Sequence, residues 1–285
     1  MRVKIMLKKI VPYAFIISIF CSNAAFCMEP QQEVESAFIA KQGNKIITEV
    51  GNPIKRRAPF STFKTVLAAI GFDAGILESK DSPKWSFKKE YMVNIPWYNI
   101  EENKYGWVGD HTPETFMANS VLWFSHQITE KLGKEKFQGY VSKLNYGNKD
   151  VSGTPGKDDS LLKSWLGTSL EISPREQVEF LEKLLTHTLP LSEDAQVKTR
   201  EIMDRKETWN EWKLYGKTGG GNFNNGWFIG WIEKDGTQPI VFAQYLDKND
   251  PDLNLEGLPV HPTVGLTAKE VAKRHLKNVW QEASK

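Results

Sequence analysis

Strand-forming segments occur only toward the two ends of this chain, and that distribution limits the folds open to it. Near the start, Ala37-Phe38-Ile39-Ala40 and Lys45-Ile46-Ile47-Thr48-Glu49-Val50 flank Gln42-Gly43-Asn44, the pattern of a β-hairpin. After Trp212 three more strand-like runs follow: Lys213 to Thr218, Gly226 to Glu233 and Pro239 to Leu246, with Gly236 at the last turn. The chain closes with an amphipathic helix from about Thr267, with Val271, Leu276, Val279 and Trp280 on its apolar side. Between these ends, from Phe60 to about Arg205, the pattern is mainly helical, with starts at Ser61, near Pro113, near Gly133 and near Ser173. Ser173-Pro174-Arg175-Glu176 combines a capping serine, proline at the first helical position and glutamate at the third. Strands from both ends that share one core with a helical middle predict an α/β (α+β) fold. An antiparallel sheet, flanked by terminal helices, stands beside a mainly helical lobe. The expected division is 28–60 with 206–285 for the sheet lobe and 61–205 for the helical lobe, within one domain spanning 28–285.

Residues 1–27 read as an export signal. Arg2, Lys4, Lys8 and Lys9 precede an apolar stretch from Ile10 to Phe20, and small residues follow at Ser22, Ala24 and Ala25. Cleavage is expected after Ala24, Ala25 or Cys27, the alternative being an uncleaved anchor; a periplasmic or secreted location follows from cleavage, with no membrane association afterwards. Both cysteines, Cys21 and Cys27, lie in this segment, so the mature chain has no intramolecular disulfide. Four of the 37 Lys and Arg residues leave with it, which turns a net charge of +2 into −2. That balance offers nothing to nucleic acid. His111, His126, His187, His261 and His275 show no metal-ligand spacing, and Gly219-Gly220-Gly221 sits in a strand-like run rather than a phosphate loop. Neither a metal nor a nucleotide cofactor is expected.

The chemistry is carried by Ser61-Thr62-Phe63-Lys64 and Lys217-Thr218-Gly219. The first places a hydroxyl and an amine one helical turn apart, as a serine nucleophile with a lysine-derived base requires. The second presents a cation and a hydroxyl to a substrate carboxylate. Ser-x-x-Lys also occurs at Ser86/Lys89 and Ser160/Lys163, but in charged surroundings that read as solvated surface; only Ser61 opens an apolar run, Thr65 to Ile70. Further along stand Ser120-Val121-Leu122-Trp123 on a predicted helix, Tyr146-Gly147-Asn148 at a turn, and Ser164-Trp165-Leu166-Gly167 leading into the Ser173 helix.

In this order the set resembles the class D β-lactamases, the oxacillinase family, over nearly the whole mature chain. The resemblance implies the serine β-lactamase and penicillin-binding-protein-like fold, with the active site at the seam of the two lobes. It implies that a small β-lactam is the substrate, that Ser61 is the nucleophile and that Lys64 is the base, carrying a CO2-derived carbamate and no other cofactor. It implies a proton relay through Ser120, a carbamate donor in Trp165, and an apolar wall in Leu122 where the family usually has valine. Lys217, Thr218, Gly219 and Gly220 would bind substrate, with the Ser61 and Gly220 N–H groups as the oxyanion hole. The arginine that many members use for the substrate carboxylate is missing from Pro262 to Thr267, leaving Thr263, Thr267 or the later Arg274. Two other functions share these motifs: a β-lactam sensor that acylates without turnover, and a D,D-peptidase.

Overall fold

The computed structural model describes residues 35–209, 211–221 and 224–283. The expected signal segment, residues 1–27, lies outside them. The hairpin forms as β1 (Ala37–Gln42) and β2 (Lys45–Gly51), turning at Gly43 with φ 54°. A 3₁₀ turn at Phe60–Phe63 leads into α1 (Lys64–Asp73). Then come β3 (Trp85–Ser86), β4 (Asp110–His111), α2 (Pro113–Asn119), α3 (Leu122–Leu132), α4 (Lys134–Lys143), α5 (Ser160–Lys163), α6 (Pro174–Leu185) and α7 (Glu193–Ile202). The chain returns to strand in β5 (Asp204–Trp209), β6 (Trp212–Gly220), β7 (Asn225–Glu233) and β8 (Ile240–Asp247), and ends in α8 (Val264–Ala283).

Five of the six strands in the main sheet follow the predicted segments. Its order is β2-β1-β8-β7-β6-β5, antiparallel throughout, so the first hairpin zips onto the last strand through β1 and β8. Both faces of β7 and β8 are covered, and nearly every residue in them is buried. On one face α8 packs Ala268, Val271, Ala272, Leu276 and Val279 against Phe38, Phe228, Phe242 and Leu246. The Trp280 side chain lies outside the described residues. On the other face the helical lobe builds a larger core around α1, whose residues Lys64 to Phe72 are all buried. A helix apolar on every side can exist only in such an interior, and each large apolar side chain it buries stabilises the fold by about 1.5–3 kcal/mol.

Helix starts fall where capping chemistry puts them. Glu176 N donates to Ser173 Oγ (3.2 Å) and Ser173 N to Glu176 Oε2 (2.9 Å), the reciprocal box that fixes α6. Three boundaries differ from the sequence reading. The last helix begins at Val264 rather than Thr267, because Thr263 accepts from Leu266 N and so caps it one turn earlier. Ser120 is not inside a helix: it ends α2 in the left-handed region (φ 57°, ψ 39°), and α3 starts only at Leu122. Finally, β5 is an edge strand in a charged stretch (Asp204-Arg205-Lys206-Glu207) with a register shift between Asp204 and Glu207, so it carries no apolar alternation to read.

Candidate active site

Pro59 starts the turn that presents Ser61. Thr62 N (3.1 Å) and Thr62 Oγ1 (2.7 Å) both donate to the Pro59 carbonyl, and Gln177 Nε2 donates to Thr62 Oγ1 (3.0 Å) from α6. Tyr146 in turn donates its hydroxyl proton to Gln177 Oε1 (3.2 Å). This buried chain braces the Ser61 turn from behind. Tyr146 is thus structural support rather than a proton carrier, and burial raises its pKa further from any useful range. Gly147 stands at φ 52° with room for no side chain, since a Cβ would lie 2.0 Å from the Glu171 carbonyl oxygen.

One turn after Ser61, Lys64 is fully buried and donates from Nζ to Ser61 Oγ at 3.0 Å. Burial alone lowers its pKa from 10.5 to about 7, because a desolvated ammonium is disfavoured. The wall around it is aromatic: Phe63 stacks on Trp165 (5.5 Å between centroids), and Phe137 meets both rings edge-on. Leu122 is buried at the same core and Leu166 packs on it. Trp165 itself is fully buried, yet its indole Nε1 has no hydrogen-bond partner. An orphaned donor in an apolar pocket costs about 1–3 kcal/mol.

From the sheet side, Lys217 is 1% exposed and donates from Nζ to Ser120 Oγ and to the Thr218 carbonyl, both at 2.9 Å. Burial first, then the charges of Lys64 and Arg205, push its pKa well below the ordinary lysine value. Ser120 owes its position to its left-handed conformation, which projects it out of the helix line. Trp107 Nε1 pins the preceding residue by donating to the Asn119 carbonyl (3.0 Å). At the end of β6, Gly219 packs so closely on the Ser61 turn that a Cβ would meet Pro59 O and Thr62 Cγ2 at 3.0 Å. Gly216 N donates to Met203 O (2.9 Å) on the β5 side of the strand. By strand alternation the N–H groups of Thr218 and Gly220 face that same edge, which β5 no longer covers. Ser61, Lys64, Ser120, Leu122, Trp165 and Lys217 to Gly220 therefore converge on one seam between helices and sheet. The rival Ser-x-x-Lys pairs remain apart from it: Ser86 and Lys89 are exposed, and Lys163 pairs with Asp159.

Three residues were not singled out in the sequence. Thr62 and Gln177 form the support just described; polar residues on a helix face give no signal until their partners are known. Arg205 is the third. Its charge acts on Lys217, its Nε is buried without a hydrogen-bond partner, and no ion pair joins it to a described residue. Asp204 also pairs with Lys206, and Glu207 with Lys269 and Lys273, so Arg205 shares the charges of both neighbouring carboxylates with lysines. Arg274, by contrast, spends its guanidinium on the carbonyls of Asn254 (2.9 Å) and Glu256 (3.0 Å).

Similarity to known proteins follows the same outline. The penicillin binding protein transpeptidase domain family matches residues 27–269. Beta-lactamase OXA-9 of Klebsiella pneumoniae is 41% identical over 207 residues, 69% of this chain and 72% of that protein. Beta-lactamase OXA-1 of Escherichia coli is 39% identical over 197 residues, 67% of each. The crystal structure of the OXA-427 class D β-lactamase superposes with a TM-score of 0.73 at 31% identity, covering 87% of this chain and 99% of that one. Motif geometry, sequence and fold agree: the chain belongs to the class D serine β-lactamases.

Proposed function

We propose that this chain is an exported enzyme that hydrolyses penicillin-type β-lactams through an acyl-enzyme on Ser61 and so confers β-lactam resistance. The carrying observation is the 3.0 Å contact from a fully buried Lys64 Nζ to Ser61 Oγ, with the lysine pKa lowered to about 7. Export rests on the pattern of residues 1–27. Among the described residues no helix is long and apolar enough to cross a membrane.

In acylation, Ser61 Oγ bonds to the lactam carbonyl carbon, its proton leaves toward Lys64, and the C–N bond breaks. Ser120, held by Lys217, hands a proton to the departing nitrogen. The N–H groups of Ser61 and Gly220 hold the oxyanion, each such donor lowering the barrier by roughly 3–4 kcal/mol. Water then attacks the ester carbonyl, the Ser61 hydroxyl is restored, and the ring-opened acid departs. The pocket fits a carboxylated Lys64: with a pKa lowered to about 7 a substantial share of the amine is neutral at pH 7, as reaction with CO2 requires, and the buried Trp165 Nε1 donor has no hydrogen-bond partner among the described residues. When present, the carbamate supplies an anionic oxygen base for activating Ser61 and then water.

Arg205, whose charge reaches Lys217 and whose Nε has no hydrogen-bond partner among the described residues, is the guanidinium to neutralise the substrate carboxylate beside Lys217 and Thr218. Thr263 accepts from Leu266 N at the start of α8, and Thr267 donates its hydroxyl to the Thr263 carbonyl. A charge-assisted hydrogen bond contributes about 1.5–3 kcal/mol. Arg205→Ala is therefore expected to raise KM for benzylpenicillin about tenfold or more with a smaller effect on kcat; an unchanged KM would remove Arg205 from the site.

Benzylpenicillin hydrolysis by the purified mature chain, with and without bicarbonate, tests the whole reading. Turnover that rises with bicarbonate supports it. A single acyl adduct that persists without turnover would instead establish a sensor.

A further inference from the structure

Phe60, immediately before the nucleophile, holds a backbone conformation that an aromatic residue rarely adopts, φ 48°. Its N–H donates to the Trp165 carbonyl (3.0 Å), which ties it to the segment carrying the indole donor. Its ring reaches the other way as well. A Cβ added at Gly221, next after the β6 strand, would lie 2.2, 2.5 and 2.8 Å from three ring carbons, and one added at Gly167 would touch the ring at 3.6 Å. Gly167 needs glycine for its own φ of 91°. Gly221 has no left-handed φ of that kind, and the three atoms nearest to a Cβ there all belong to the Phe60 ring. The ring thus lies between the end of β6, whose Gly220 N–H faces the reacting carbonyl, and the Trp165 segment that closes the lysine pocket.

We infer that Phe60 is a positioning residue, a wedge that sets the spacing between the oxyanion strand and the Trp165 segment on either side of Ser61. This rests on the hydrolase reading given above. The strain at φ 48° persists because the surrounding contacts over-determine it, and such strain is stored where geometry must be held. Removing the ring lets the end of β6 settle inward, displacing the Gly220 donor from the oxyanion while leaving Lys217, Thr218 and the carboxylate contact in place. The loss then falls on the transition state rather than on ground-state binding.

The test is a double-mutant cycle of Phe60→Ala and Gly221→Ala, read by kcat, KM and melting temperature, with Phe60→Leu as the conservative variant. Phe60→Ala is expected to lower kcat by about 10- to 100-fold, with KM within about twofold, as an interaction made only in the transition state dictates. Phe60→Leu restores part of it. Gly221→Ala lowers both kcat and melting temperature on the native background and changes neither on the Phe60→Ala background, because the clash has gone. Equal costs of Gly221→Ala on both backgrounds, or a native kcat in Phe60→Ala, would overturn the wedge. If the native chain turns over no penicillin, the hydrolase reading falls, and the melting temperatures of the cycle still decide whether the ring and Gly221 are coupled.

Discussion

Lys64→Met is expected to abolish turnover of penicillins, lowering kcat about a thousandfold or more, while making the folded chain more stable. Both effects come from the same burial. In the proposed reaction the side chain whose Nζ stands 3.0 Å from Ser61 Oγ is the group that takes its proton. Methionine fills the same volume and keeps the aromatic wall of Phe63, Phe137 and Trp165 packed, so the loss is chemical rather than structural. Any Ser61 ester that does form should persist, visible as an added mass on the intact chain.

The stability change follows from linkage. The folded pKa, about 7, lies below the unfolded value of 10.5. Between those values the unfolded chain carries a proton that the folded chain does not, so stability rises with pH across about 7 to 10.5 and is lowest at pH 7 and below. A displacement of this size corresponds to roughly 5 kcal/mol. Melting curves in CO2-depleted buffer at pH 6.5 are expected to place Lys64→Met about 10–20 °C above the native chain, with the gap narrowing toward pH 10. A Lys64→Met chain that melts below the native one at pH 6.5 would mean that the buried amine is stabilised by contacts beyond Ser61.

Most of the scaffold was legible because it depends on local chemistry. The α6 start is written in Ser173-Pro174-Arg175-Glu176, and β7 and β8 are long apolar runs that could only be interior strands. The position of Lys64 relative to Ser61 follows from helical spacing alone. What was not legible depends on partners distant in sequence. Ser120 looked helical because Ala118-Asn119-Ser120-Val121 has no glycine to mark the break; its left-handed turn is held by the Asn119 carbonyl bond from Trp107, twelve residues earlier. Arg205 carries no signal of its own in the charged run Asp204-Arg205-Lys206-Glu207. Only the fold shows that lysines share both neighbouring carboxylates. Phe60 read as the lead-in to a helix, and its contact with Gly221 spans 161 residues of chain.

Trp165→Phe should cost more stability with CO2 present than without it. The phenyl ring keeps a face toward Phe63 but leaves a cavity at a fully buried site, a cost common to both conditions; what differs between them is the Nε1–H. Without CO2 that donor is buried and unpartnered, and deleting it relieves about 1–3 kcal/mol. With Lys64 carboxylated, the same donor meets an anion, and deleting it forfeits a charge-assisted bond of about 1.5–3 kcal/mol. The melting temperature of Trp165→Phe is therefore expected to fall further below that of the native chain in bicarbonate than in CO2-depleted buffer. Occupancy of the lysine should follow the second figure, with about 10- to 100-fold more bicarbonate needed to reach half-maximal kcat. The carbonyl signal of 13C-labelled bicarbonate on Lys64 reports that occupancy independently of turnover. A change of equal size in both buffers would show that Trp165 acts on the site through its ring alone.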